Sequence, residues 1–531
     1  NSMKPGRLFS ISIVIVASGC AGEAPTPTAS ASGIYDRILG TGYFDGPLET
    51  GDWRTTLVGR EHAQADLAVL DSLLEHHYAY NDADAVDEHA LLAAISAELP
   101  ERIRVGDLAM QLQKALALSI DGHAPRVSGL TAEGARERIE DNPPGTHYFP
   151  FELRSTGSRI VAFDAGTRSL IDAQSPYVTA IDGLPVADWI DAAQSIIVAG
   201  SPQLRWHRGS WQLGNIGFLR IEMGRPAAPT ARLTLTDERR TRAVEREIEL
   251  VGMSVAARER YPFERDALAR VPDDVAYFRI RRMESDSEYI AGLAAWIQES
   301  RSARGAIIDI RDNGGGSRLP LLTLLPHVLD ANALPVVVTA GKLRLPPGCL
   351  TNNCPPPEDG YLANRFMLPL RSLPGGSPER AAIDRWLPTF KPEWSPPPET
   401  FSEWHFLVIA PDADPIFAGK PVVVLMNSGN FSASDIFLSG FKGRDNVTLV
   451  GTASSGGSAR RSEYSLPNSN LSVSLATLAS FQARNSQLYD GVGIEPDVMM
   501  EAEPGFFVNT SDAMLEYAIE RIRREGRRTP G

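Results

Sequence analysis

A strand, a short polar turn and a helix are predicted to meet at Ser432, an arrangement that can present a serine hydroxyl as a nucleophile. Val422–Met426 is a continuous apolar run, as expected of a strand buried on both faces, and the polar residues 427–430 form the turn. At a helix N-terminus, the amides of Ser432 and Ala433 would stabilise an oxyanion. The alternative is that Ser432 only caps the helix, because serine is a preferred N-cap residue.

A second segment upstream carries three glycines directly after an apolar strand. The strand covers 306–310, and the glycines occupy 314–316. Glycine allows close backbone approach, so the amide of Gly315 or Gly316 could complete an oxyanion hole with Ala433. The alternative is an ordinary turn between a strand and a helix. Asp309 and Arg311, which border this strand, are interpreted as structural residues that hold neighbouring loops.

These two segments, followed by 449–451 and 490–497, occur in the order found in the S41 family of serine peptidases, the tail-specific or C-terminal-processing proteases. The chain resembles this family over about residues 60–500. The resemblance implies an α/β protease core of the ClpP/crotonase-like type, with Ser432 as the nucleophile that forms an acyl-enzyme. Asp435 stands where the family more usually has glutamate.

The base of the best-known branch of that family is missing. In the Ser-Lys branch a lysine follows the serine in a glycine-rich loop, and here Gly457 stands at its position. A serine hydroxyl is a poor nucleophile without a base, so either another residue accepts its proton or the chain is inactive.

A histidine can take that role. The segment 120–124, which contains Asp121 and His123, resembles the one in the histidine-using branch, which includes the tricorn core protease and the chlamydial protease-like activity factor. The resemblance implies His123 as general base and acid and Asp490 as the carboxylate that orients it. His123 could instead be an ordinary turn residue, and Asp490 only a turn former before glycine. With an unperturbed imidazole, the rate would fall below about pH 6 to 7.

The favoured function is therefore a serine endopeptidase that acts on proteins or peptides through a Ser-His-Asp type site. The alternative is a catalytically inactive S41 fold that binds peptide or a small apolar ligand. Gly457 supports the alternative, and the joint presence of Ser432, His123 and Asp490 argues against it.

Composition limits the other function classes. The chain has 531 residues, 43% of them hydrophobic, which is enough for several packed domains. A net charge of −14 argues against a nucleic-acid partner. The proposed chemistry needs no cofactor, and no metal site is predicted. A histidine and aspartate group lacks a recognisable ligand spacing and is interpreted as helix surface: His76, His77, Asp82, Asp84 and His89.

The N-terminal segment resembles a bacterial lipoprotein signal. After a cloning remnant at residues 1–2, Lys4 and Arg7 precede the apolar run 8–17, which ends before Cys20. The resemblance implies lipidation of Cys20, a flexible tether up to residue 33, and anchoring in the bacterial cell envelope, at the outer membrane facing the periplasm. Cys349 and Cys354 could form a disulfide there or remain free thiols.

The expected fold class is α/β and multidomain. After the signal and tether at 1–33, a helical N-terminal domain is predicted at 34–147 and a PDZ-like, β-rich domain at 148–252. The protease core is predicted at 272–345 and 402–523, interrupted by a Pro/Gly-rich insertion at 346–401 that could cover the cleft or dock a partner. A PDZ-like module would bind an extended peptide at a sheet edge. The sequence leaves the oligomeric state open.

Overall fold

The computed structural model describes residues 38–40, 42–44, 52–83, 86–141, 143–198, 200–252, 271–345 and 360–525. Cys20 with the predicted lipoprotein signal, and Cys349 with Cys354, lie outside these residues. Within them, helices and sheets alternate in several packed layers, which confirms the predicted α/β multidomain class. No helix in these ranges combines the length and apolar character that crossing a bilayer requires.

The helices are α1 (Arg60–His77), α2 (Glu88–Glu98), α3 (Val105–Leu116), α4 (Val186–Ala193), α5 (Pro202–Gln212), α6 (Ile216–Glu222), α7 (Ser287–Glu299), α8 (Leu319–Leu324), α9 (Tyr361–Asn364), α10 (Pro378–Trp386), α11 (Ala433–Phe441), α12 (Pro504–Phe507) and α13 (Ala513–Glu525). The strands of the first half are β1 (Leu57–Gly59), β2 (Arg102–Arg104), β3 (Arg126–Leu130), β4 (Arg136–Arg138), β5 (Glu152–Ser155), β6 (Ile160–Asp164), β7 (Ser169–Leu170), β8 (Tyr177–Ile181), β9 (Leu184–Pro185), β10 (Thr230–Thr236) and β11 (Ala243–Glu249). Those of the second half are β12 (Ala276–Arg279), β13 (Ala306–Asp309), β14 (Val336–Leu343), β15 (Leu368–Pro369), β16 (His405–Ile409), β17 (Val422–Met426), β18 (Val447–Gly451), β19 (Arg461–Ser465), β20 (Ser472–Ala476), β21 (Leu478–Gln482) and β22 (Val498–Met499).

A parallel sheet in the order β12-β13-β17-β18-β22 forms the centre of the protease core. Every residue of β17 is buried, because helices cover both faces of the sheet. Successive side chains alternate between the two faces: Val424 packs with residues of α11, and Val423 packs with residues of α13. The continuous apolar run in the sequence therefore corresponds to a strand without a solvent-facing side.

The N-terminal region is joined to this core by strand pairing. Strands β3 and β4 extend a sheet in the order β19-β20-β3-β4, with Val127 opposite Val473. The predicted helical range 34–147 thus contains α1 to α3 and also two strands that belong to the same sheet as core strands. Residues just before β3 are consequently held next to the core.

The range predicted as PDZ-like contains a sheet in the order β11-β10-β8-β6-β5, in which β7 pairs with β6 and β9 with β8. Its helix α4 packs on the sheet, and the Trp189 indole N–H donates to the carbonyl of Ile181 over 3.0 Å. Helix α5 packs against β5, and its Gln203 side chain donates to the carbonyl of Ser454 in the core over 2.9 Å. The described part of the insertion, 360–401, carries α9, β15 and α10, and β15 pairs with the core strand β16.

A buried arginine holds the C-terminal helix to the central sheet. Arg311, which follows β13, donates to both oxygens of Asp309 and to both oxygens of Asp512, just before α13. Burial alone would raise the pKa of Asp309, but Arg311 lowers it to about 2. Asp309 and Arg311 therefore have the structural role that the sequence suggested.

We expect Arg311→Met to lower the free energy of unfolding by about 3–5 kcal/mol, because two carboxylates would stay buried without their cation. Urea denaturation measures this difference. Arg301→Met is the matched control, since its pair with Asp414 is exposed, and its effect should stay below about 1 kcal/mol. Equal stability of the two variants would contradict the assigned role of Arg311.

Candidate active site

The backbone at Ser432 adopts a conformation that is rare for residues other than glycine. Its φ is 60° and its ψ is −117°, at the junction between the turn after β17 and the first residue of α11. Such a conformation costs on the order of 1–3 kcal/mol and persists where neighbouring structure holds it. Here Asn430 braces the turn, since its side-chain oxygen accepts from the Asn427 N–H over 2.7 Å.

The hydroxyl of Ser432 does not cap the helix. Its side chain accepts no capping hydrogen bond from the helix backbone. Its Oγ instead lies 3.1 Å from Nε2 of His123. The helix-capping alternative therefore does not account for this serine. A nucleophile and a base at hydrogen-bond distance are the minimum arrangement for covalent catalysis.

The His123 ring is held from two sides. Its loop is fixed by Asp121, whose Oδ1 accepts from the backbone N–H groups of His123 and Ala124 over 2.7 and 3.0 Å. The ring itself stacks on Phe431, with centroids 5.3 Å apart and planes 20° from parallel. Phe431 directly precedes the serine, so one aromatic contact positions the base relative to the nucleophile.

The site keeps His123 uncharged. Burial, followed by the charges of Arg126, Arg208, Arg461 and Arg365, lowers the pKa of His123 to about 3. A neutral imidazole is the form that accepts the serine proton. The fall in rate expected at pH 6 to 7 for an unperturbed imidazole is therefore moved to lower pH.

Asp490 lies behind this pair, although no hydrogen bond joins it to the imidazole. Its Oδ2 accepts from the Tyr80 hydroxyl over 2.7 Å and from the Ser458 N–H over 3.3 Å. Its Oδ1 and the Nδ1 of His123 are both buried without a hydrogen-bond partner among the described residues. Burial raises the pKa of Asp490, and the same cause together with the charge of Asp490 raises the pKa of Asp121.

Two of the three predicted oxyanion amides are available. The Gly315 N–H donates to the side-chain oxygen of Asn313 over 2.9 Å, which leaves the N–H groups of Ala433 and Gly316 without a hydrogen-bond acceptor within the described ranges. Gly315 still has a steric role. It has a φ of 100°, and a Cβ there would lie 2.8 Å from the Ser432 Cβ and 3.0 Å from the Ala433 nitrogen.

Asp435, at the position where glutamate is more usual in the S41 family, holds the glycine-rich loop rather than the histidine. Its Oδ1 accepts from the Ser454 hydroxyl over 2.5 Å and from the Gly456 N–H over 3.1 Å. Burial raises the pKa of this carboxyl to about 7. The loop that would carry a lysine in the Ser-Lys branch is thereby fixed to the first turn of α11.

Packing around Gly457 explains why no lysine occupies that position. A Cβ at Gly457 would lie 2.4 Å from Cε2 of the Phe431 ring, closer than any real contact. It would also lie 3.3 Å from Oδ1 of Asp490. Any side chain at this position would displace the ring on which His123 stacks, so the histidine and a lysine at 457 are mutually exclusive in this packing.

Several residues of the site escaped the sequence analysis. Phe431 and Asn313 adjoin predicted motifs, and their positions next to Ser432 and the glycines were the available signal. The sequence offered no signal for Tyr80, because only tertiary contacts bring this buried tyrosine to Asp490. Of the five residues interpreted as helix surface, Asp84 lies outside the described residues, and His89 contacts Asp71 and Asn81. The structure, as far as it is described, groups no three His, Cys, Asp or Glu side chains in a way that could hold a metal ion.

The strand, turn and helix around Ser432 belong to a segment with a recognised family pattern. Residues 274–500 match the sequence model of peptidase family S41. This segment, somewhat less than half of the chain, contains Ser432 and Asp490. The match supports a serine peptidase, as the motifs predicted.

Solved structures give the same fold. Mature CPAF is 17% identical with a TM-score of 0.54 over 89% of this chain and 99% of that one, and its complex with lactacystin is also 17% identical, with a TM-score of 0.53 over 88% and 99%. The photosystem II D1 C-terminal processing protease is 12% identical, with a TM-score of 0.42 over 86% and 96%. At 17% identity, the two CPAF structures show a shared fold and nothing further. Comparison with curated proteins gave no match.

We expect Gly457→Ala to lower kcat for peptide hydrolysis at least about tenfold, because the added methyl group pushes the Phe431 ring and with it the imidazole of His123 out of position. Steady-state kinetics measure this change. Gly375→Ala is the control, since a Cβ there meets no atom within 4 Å. An unchanged kcat in Gly457→Ala would mean that the stacked ring does not position the histidine.

Proposed function

We propose that the protein is a serine endopeptidase of the histidine-using S41 branch, with Ser432 as nucleophile and His123 as general base and acid. The 3.1 Å separation between Ser432 Oγ and His123 Nε2 carries this proposal. The glycine at position 457 supports it further, because it excludes the lysine of the other branch.

The reaction follows from this geometry. Ser432 Oγ attacks the carbonyl carbon of the scissile peptide bond while His123 Nε2 accepts the hydroxyl proton. The N–H groups of Ala433 and Gly316 stabilise the oxyanion of the tetrahedral intermediate. His123 then donates its proton to the leaving amine, and an acyl-enzyme remains. Water, deprotonated by the same imidazole, then attacks the ester. The imidazolium returns this proton to Ser432 Oγ as the acyl bond breaks and the second product leaves.

Asp490 is proposed as the carboxylate that stabilises the protonated histidine. It is buried, its Oδ1 is free to accept, and its charge is also stabilised by the N–H of Gly122, the residue before His123. Tyr80 holds the other oxygen, so Oδ1 is the atom that would accept from Nδ1–H when the imidazole is protonated.

The assay that tests the site compares Ser432→Ala, His123→Ala and Asp490→Asn in hydrolysis of an unfolded protein at several pH values. We expect the first two variants to lose at least about a thousandfold in kcat, and Asp490→Asn at least about a hundredfold. The acid limb of the parent profile should lie below pH 6, because the pKa of His123 is lowered.

Arg102→Gln serves as the control variant in this assay, since Arg102 is exposed on β2, outside the site. Loss of activity in Ser432→Ala alone would exclude His123 as the base. Peptide or apolar-ligand binding without any hydrolysis by the parent would favour the inactive binding protein instead.

We further propose that the enzyme is anchored in the cell envelope by a lipid on Cys20 and acts on protein or peptide substrates there. Residues 8–17 and the small residues before Cys20 support this location. The chain is expressed in bacteria grown with an alkyne-modified fatty acid. The parent and Cys349→Ser should become labelled, and Cys20→Ser should not. Equal labelling of Cys20→Ser would contradict the anchor.

A further inference from the structure

The cavity in front of Ser432 and His123 is strongly basic, although the whole chain carries a net charge of −14. It has a volume of about 690 Å³, and no aspartate or glutamate is among its lining residues. Five arginines line it: Arg126, Arg208, Arg282, Arg365 and Arg461. A positive cleft in an acidic protein concentrates field lines at one place on the surface.

Ordinary secondary structure brings these arginines together. Arg126 on β3 and Arg461 on β19 flank β20, opposite Ser474 and Ala476 respectively. Because these two partners are two positions apart, both arginines lie on one face of the sheet. On α5, Leu204, Arg208 and Trp211 share the helix face that lines the cavity.

Three of these arginines have no carboxylate partner within the described residues. Arg126 pairs with Glu140, and Arg282 lies 3.7 Å from Glu284. By contrast, Arg208 lies over the Phe431 ring at 4.9 Å, Arg365 donates to the carbonyl of Gly316 over 2.8 Å, and Arg461 is exposed. Burial, followed by the charge of Arg126, lowers the pKa of Arg208 to about 10, although the charges of Glu140 and Asp141 offset part of this effect.

We propose that this cleft selects substrates with carboxylates close to the scissile bond, bound by Arg208, Arg365 and Arg461. The proposal rests on the proposed peptidase function. The carboxylates come from acidic side chains or from the C-terminus of a peptide, and the planar guanidinium groups bind either in a bidentate manner. Since Arg208 contacts Phe431 and Arg365 contacts Gly316, the bound charge lies beside the nucleophile and the oxyanion hole.

Such a substrate would also assist the chemistry. The positive charges of the cleft lower the basicity of His123, so a bound carboxylate offsets part of their effect and makes the imidazole a better base. Acidic substrates are therefore expected to gain in kcat as well as in KM. A neutral substrate leaves the guanidinium charges uncompensated during the reaction.

The test begins with digestion of a proteome-derived peptide library by the parent, which identifies cleaved sequences. From one of them, three peptides are made: the acidic form with an amidated C-terminus, its Asn and Gln isostere with an amidated C-terminus, and the isostere with a free C-terminus. At low salt, we expect kcat/KM of at least one carboxylate-bearing peptide to exceed that of the amidated isostere at least about tenfold. Preference for the acidic peptide would identify acidic side chains as the source of the carboxylate. Preference for the isostere with a free C-terminus would identify the C-terminus.

Arg208→Gln and Arg461→Gln should each remove most of this preference, with a loss of about tenfold for the preferred peptide and less than about threefold for the amidated isostere. Arg208→Lys, which keeps the positive charge, should retain part of the preference for the carboxylate-bearing peptide. Arg102→Gln should retain all of this preference. Thermal unfolding checks that each variant is folded. Equal rates for all three peptides, or equal losses on all of them in the glutamine variants, would overturn the proposal.

A second readout separates this proposal from the peptidase function. Ser432→Ala protein is titrated into a fluorescein-labelled, C-terminally amidated ten-residue peptide with four glutamates, into its glutamine isostere, and into that isostere with a free C-terminus. We expect tighter binding, by at least about tenfold, to one of the carboxylate-bearing peptides, with the preference reduced in Ser432→Ala/Arg208→Gln. This result without any hydrolysis by the parent would support the carboxylate site while the peptidase proposal fails. Equal binding of all three would overturn the site whether or not the parent is active.

Discussion

The pairing of β3 with β20 is the constraint on which the site depends. It joins a strand near the N-terminus to one near the C-terminus, and His123 lies three residues before the first of them. Nucleophile and histidine are 309 positions apart in the chain, yet their side chains lie 3.1 Å apart. Asp121 then fixes the short loop between helix α3 and β3 that carries the ring. An error in this register would reverse the faces of β3 and displace both His123 and Arg126.

The same pairing shapes the electrostatics of the cleft. Burial disfavours the charged form of His123, and the arginines in front of the imidazole add to this effect. Behind it, burial raises the pKa values of Asp490 and Asp121. The charge of Asp435 adds to the shift of Asp490, and the charge of Asp490 adds to that of Asp121. The histidine therefore sits between a cationic cavity and an acidic interior. This separation of charge suits a group that must become positive only during the reaction.

Packing decides which base the fold can use. Phe431 occupies the space beside Gly457 and offers its face to His123. The aromatic ring thus fills the space that a lysine side chain at position 457 would need, and the imidazole of His123 stacks on it. Asp435 keeps the glycine-rich loop attached to α11, so the loop retains its place without its lysine. The position of the Phe431 ring is enough to explain why a histidine base and a lysine at position 457 do not occur together here.

The sequence by itself determined the local features: the buried strand before Ser432, the glycine turn, the α/β class, and the S41 family that residues 274–500 match. These were predictable because each depends on neighbouring residues and their periodicity. Only the tertiary structure decided that Gly315 donates to Asn313, that Tyr80 holds Asp490, and that arginines from separate elements share one cavity. The last two contacts join residues far apart in the chain and depend on strand register, and the first depends on the backbone conformation of the glycine loop. Sequence spacing specifies neither.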